Sequence, residues 1–107
     1  MAPMALVALT TLGNLEDARK LARALVDARL VACATLLPGA TSVYRWEGQI
    51  TEEPEVVVLL KTEAAKWEAL EAAVREWHPY RVPELVAMPV DRGLESYLRW
   101  VEREVVE

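Results

Sequence analysis

Five consecutive apolar residues, Val56-Val57-Val58-Leu59-Leu60, constrain most tightly what this chain can fold into. Successive side chains of a strand point to opposite faces of its sheet. A strand with no polar residue in five therefore needs cover on both faces. Leu6-Val7-Ala8-Leu9 and Ala34-Thr35-Leu36-Leu37 make nearly the same demand. Two helices can cover one face of a four-stranded sheet, and a third can take part of the other. The remainder points to another copy of the chain. Burying a further ~500 Å² of apolar surface would contribute ~12 kcal/mol at ~25 cal/mol per Å², before association costs. A homo-oligomer is expected on this ground, with no count implied.

The order of elements follows from periodicity and breakers. Met4 to Thr11 is apolar and β-compatible, and Gly13 ends it. Asn14 is a good helix N-cap, with Glu16 and Asp17 placed for the helix dipole. Leu15, Ala18, Leu21, Ala22 and Leu25 then recur at helical spacing. A second strand runs from Val31 to Leu37, is interrupted by Pro38-Gly39, and resumes from Thr41 to Glu47. Gly48 marks a turn, and Glu55 to Lys61 is the third strand. Thr62 can cap a second helix that presents Trp67, Leu70, Val74 and Trp77 on one face. A fourth strand opens at Pro83-Glu84-Leu85 and ends near Pro89. Gly93 then precedes a last helix carrying Leu94, Tyr97, Leu98, Val101 and Val105. The pattern βαββαβ plus a terminal helix is an α+β, ferredoxin-like arrangement. At 107 residues it forms one domain, 1–107, without repeat or linker.

Charge and cysteine content narrow the function classes. A net charge of −5 excludes a general phosphate-backbone binder, so no nucleic acid is expected. One cysteine allows no internal disulfide and suits a reducing compartment. Met1-Ala2-Pro3-Met4 carries no basic side chain ahead of the apolar run, which disfavours a secretory signal. No apolar run approaches the ~20 residues of a membrane span. A cytoplasmic protein with no membrane partner is expected. No Ser/His/Asp set, GxSxG elbow or phosphate-cradling glycine loop is present, so no enzyme activity is expected.

The stretch His78-Pro79-Tyr80-Arg81-Val82-Pro83-Glu84 holds the only histidine and two of six prolines. Each proline fixes its own φ and biases the preceding residue away from the helix. His78 should therefore end a helix, and Val82 should be extended. The result is a stiff connection presenting a ring, a phenol, a guanidinium and a carboxylate.

That stretch, with Arg29-Leu30-Val31-Ala32-Cys33-Ala34, Pro38-Gly39 through Tyr44-Arg45-Trp46-Glu47-Gly48, Lys61-Thr62 and Tyr97-Leu98-Arg99-Trp100, resembles the CutA divalent-cation tolerance family. The similarity runs from about Leu6 to Val101. It implies a ferredoxin-like subunit in a homotrimer, similar in architecture to PII signalling proteins. It also implies tolerance of copper and other divalent cations in the cytoplasm. The ligands assigned in some members, a Cys in the first strand and two adjacent His after the second helix, correspond here to Thr10 and Trp77-His78. Only His78 carries over.

Candidate site residues follow. His78 is the best single metal ligand, although a helix C-terminus should raise its pKa and favour the protonated form. A structural or interface role is the plainer reading of it. Cys33, between two alanines, reads first as a small core residue and second as a metal ligand. Tyr44 and Trp46 share one strand face and read as interface packing, or else as the aromatic wall of a ligand cleft. Glu52, Glu53 and Glu55 read first as a solvated hairpin tip and second as a cluster with weak attraction for cations. Two functions result. One is cation tolerance by binding copper or a similar ion. The other is a PII-like sensor trimer with a small ligand in its inter-subunit clefts. Lys61, His78, Tyr80 and Arg81, with Glu84 near by, would give such a cleft anion-binding character.

Overall fold

The computed structural model describes residues 4–106, so the expectation about Met1 to Pro3 lies outside it. Strand β1 is Ala5–Leu12, helix α1 Leu15–Asp27, β2 Cys33–Trp46 and β3 Gln49–Glu63. Helix α2 is Trp67–Trp77, β4 Val86–Pro89 and α3 Glu95–Glu104. The strands form one antiparallel sheet in the order β2-β3-β1-β4, as the βαββαβ pattern requires.

Helix α1 starts where the sequence places its cap. Asn14 Oδ1 accepts from the Asp17 N–H at 2.8 Å, satisfying one donor that the first turn leaves open. Of its buried stripe, Ala18, Leu21 and Leu25 pack with Leu70 and Val74 of α2 on one sheet face. That face carries Ala8 and Leu12 of β1 and Val56, Val58 and Leu60 of β3. Leu12, Leu25, Leu60 and Leu70 are wholly buried, each contributing roughly 1.5–3 kcal/mol.

Alternate residues lie on the other face. Register pairs Val7 with Lys61 and Met88, and Leu9 with Leu59 and Val86. Leu37 lies opposite Val57 on the same face. Helix α3 covers one end of this face through Val101 and Val105, which are buried with Ala32. Leu37, Val86 and Met88 remain exposed, Met88 by 57%. The continuous apolar strands thus meet one covered face and one largely open face.

Four expectations change. Strand β4 opens at Val86 rather than at Pro83-Glu84-Leu85. Pro38-Gly39 does not divide β2. The strand passes through it with a register shift between Leu37 and Ala40, and Gly39 takes φ +89°, open to glycine without strain. Strand β3 begins at Gln49 rather than Glu55, so Glu52, Glu53 and Glu55 are strand residues and not a tip. Thr62 does not cap α2. It lies in β3 and its hydroxyl donates to the Leu30 carbonyl at 2.7 Å, while a 3₁₀ turn, Ala64–Lys66, separates strand from helix. Beyond the Leu12–Val56 pair, β2 and β3 continue as a two-stranded ribbon to a turn at Glu47-Gly48. Val43, Tyr44, Trp46 and Ile50 are exposed on that ribbon.

Candidate ligand cleft

The segment after α2 builds the site. His78 ends the helix with φ −74° and ψ 135°, as its neighbouring proline requires. The chain then crosses the end of β1. The ring of His78 is 6% exposed, and both its nitrogens are engaged. Nδ1 accepts from the Tyr80 N–H at 3.1 Å, and Nε2 lies 2.8 Å from the Thr11 carbonyl. An acceptor at one nitrogen and a carbonyl at the other select the neutral tautomer protonated at Nε2. Burial pushes its pKa below the ordinary histidine value, against weaker upward pulls from the Thr11 carbonyl, Glu55 and Asp17. The upward shift expected from the helix terminus is therefore overridden by desolvation.

Tyr80 packs tilted on His78, ring centroids 4.7 Å apart. Its hydroxyl donates to Glu55 Oε2 at 2.5 Å. Burial first, and then this carboxylate, push the phenol well above its ordinary pKa. Glu55 is 8% exposed. A side chain on Gly13 would place its Cβ 3.3 Å from the Tyr80 hydroxyl, so glycine leaves room for this contact.

Tyr80, Arg81, Val82 and Glu84 face the ribbon across a cleft of about 820 Å³. Tyr44 and Trp46, 41% and 45% exposed, form the opposite wall, with Glu53 beside Glu55. The structure brings Tyr44, Trp46, Tyr80, Arg81 and Glu84 together. Lys61 is elsewhere: its ammonium donates to the Thr35 hydroxyl at 2.8 Å, and it does not line the cleft. Of the groups expected to give the cleft anion-binding character, Tyr80 and Arg81 line it and Lys61 and His78 do not, while Glu53, Glu55 and Glu84 do. Sequence reading did not single out Thr11, and it took Glu53 and Glu55 first as part of a solvated tip, whereas both line the cleft.

Cys33 is half-buried on the open sheet face rather than in the core, because its register partner is Lys61. Its sulfur lies 3.5 Å from the Tyr97 hydroxyl. That contact and then burial push the phenol up to about 12. Thr10 is buried on the helix-covered face with its hydroxyl unpartnered, and Trp77 is exposed. Among the described residues, no three His, Cys, Asp or Glu side chains converge as metal ligands would. No described helix is long and apolar enough to cross a membrane.

Comparisons with known proteins agree on ancestry. The divalent-cation tolerance protein CutA of Thermus thermophilus is 44% identical over 95 residues, covering 89% of this chain and 92% of that protein. The human protein CutA is 45% identical over 94% of this chain, which spans 55% of the human sequence. The crystal structure of CutA from Xylella fastidiosa superposes with a TM-score of 0.93 at 40% identity, over 95% of this chain and 98% of that one. An Archaeoglobus fulgidus structure, described as a periplasmic divalent cation tolerance protein, gives a TM-score of 0.93 at 31% identity over 96% of this chain and all of its own. The family model for the CutA1 divalent ion tolerance protein matches residues 6–104, and with the sheet order and the His78–Glu84 segment in place, this chain belongs to that family.

Proposed function

We propose that the chain serves divalent-ion tolerance as a PII-like homotrimer, and that its working surface is the cleft between the ribbon and the Tyr80 segment rather than a copper centre at His78. The observation that carries this reading is the bonding of His78. A metal needs a neutral imidazole lone pair, and here one nitrogen accepts from Tyr80 while the other faces the Thr11 carbonyl. Cys33 has Tyr97 beside it and no second thiol in the chain, a poor set for soft Cu(I). The donors of one chain thus do not fit a resident copper site, and a divalent ion is better read as what the assembly responds to.

The open sheet face and the ribbon support the trimer. A two-stranded ribbon is marginal alone, and this one exposes apolar side chains on both faces. A reducing cytoplasm suits a chain with one cysteine.

Calorimetric titration with copper under reducing and oxidising conditions tests this reading. A weak response, unchanged in His78→Gln, is expected. One saturating site per chain or per trimer that is lost in His78→Gln would contradict it.

A further inference from the structure

We propose that α3 is a strap that opens as a unit while the rest of the subunit stays folded, and that Arg29, just past the end of α1, is the latch that closes it. The strap lies apart from the ligand cleft and does not depend on it.

Arg29 is the strained residue of this corner. Its φ is +59°, a left-handed conformation that is costly for any residue with a Cβ. The helix ending demands it. The Leu30 N–H donates to the Leu25 carbonyl and the Arg29 N–H to the Val26 carbonyl, both at 3.0 Å. That pattern closes a helix with a left-handed residue, and glycine is its ordinary occupant. Strain kept at one residue points to a use for its side chain. Here Nη1 donates to the carbonyl of Glu104, the last residue of α3, at 3.0 Å. The last carbonyls of a helix lack partners and carry the negative end of its dipole, so a guanidinium suits them. The exposed Glu104 carboxylate, 3.9 Å from the same nitrogen, adds less.

The rest of α3 is lightly held. Leu94, at its N-terminus, gives no side-chain cap. Among the described residues, Val101 and Val105 are what it buries, and they pack on Ala32 in a cluster separate from the main core. Tyr97 touches Cys33. Arg29, Ala32 and Cys33 all lie where the chain passes from α1 into β2, so the helix is fastened along one edge. Along the other edge, Leu98, Arg99 and Glu102 border a cavity of about 750 Å³ that reaches Met4, Ala5 and Glu63. Burial, and then Glu102, raise the pKa of Glu63, so the two carboxylates repel there. An element with few buried apolar contacts opens at lower free energy than the core. Opening would uncover Ala32 and Cys33.

The test is amide hydrogen exchange of the full chain under native conditions, followed by NMR. In the wild type, the amides of α3 should be at least about tenfold less protected than those of Ala18 to Leu25 in α1. Equal protection of the two helices would overturn the strap. Arg29→Gly removes the latch and relieves the backbone, so the fold should survive it. It should lower α3 protection at least about fivefold further, while α1 protection holds or rises. A residue that merely made the turn would let both helices gain protection together. That result, a common fall in both, or an unchanged α3 would overturn the latch. Glu104→Gln keeps the carbonyl and should leave α3 within about twofold of wild type. A loss as large as that in Arg29→Gly would overturn the carbonyl bond as the latch.

Discussion

His78 shows how far one residue's surroundings can redirect its chemistry. From sequence it is the sole imidazole in a distinctive motif, read first as a structural or interface residue and second as the best single metal ligand. In the fold its two nitrogens join the end of β1 to the Tyr80 backbone. His78→Ala would leave the Thr11 carbonyl and the Tyr80 N–H without partners, and should cost about 3 kcal/mol in a thermal or urea melt. Its pKa is lowered on folding, so the unfolded chain takes up the proton first. The His78 contribution is complete above about pH 6.5 and is lost as pH falls through that value toward the depressed folded pKa. Melts from pH 8 to pH 5 should show that slope, and His78→Gln should remove it. Glu63 behaves oppositely. Burial, and then Glu102, raise its pKa, so its ionised form destabilises the fold at neutral pH and the penalty disappears as pH falls below about 4.5. Glu63→Gln should raise the melting temperature at pH 7 and leave it unchanged at pH 4.

At the scale of elements, periodicity made the helices legible and composition obscured the ribbon. Asn14 and the Ala18-Leu21-Ala22-Leu25 stripe define α1 because capping and a 3.6-residue repeat are local signals. The first half of β3 was not legible. Thr51-Glu52-Glu53-Pro54 is charged and contains proline, which locally reads as loop, and only pairing with Thr41 to Tyr44 makes it strand. The cleft was half legible for the same reason: the His78–Glu84 motif announces one wall, whereas Glu55 depends on the register of β3. The two-residue turn between Trp46 and Gln49 has positive φ at both positions, 50° at Glu47 and 81° at Gly48, the geometry of a type I′ hairpin turn. Glu47 is strained there, and Asn tolerates it. Glu47→Asn should stabilise the protein by about 0.5–1 kcal/mol, read as a higher melting temperature.

The whole molecule is elongated, with extents of 45 × 25 × 23 Å, because the ribbon projects beyond the sheet. One sheet face is sealed by α1 and α2, and the other is left to α3 and to whatever packs beside it. The unbroken run Val56 to Leu60 made that demand visible in the sequence, and the structure shows which side chains carry it. Met88 lies on the open face at the edge strand, exposed within one chain. Met88→Asp should therefore leave the subunit folded by circular dichroism while dissociating the proposed trimer. Light scattering of the wild-type protein at micromolar concentration tests the proposed trimer directly. A mass near three times the 12.0 kDa chain is expected; a folded species with the mass of a single chain would contradict the account.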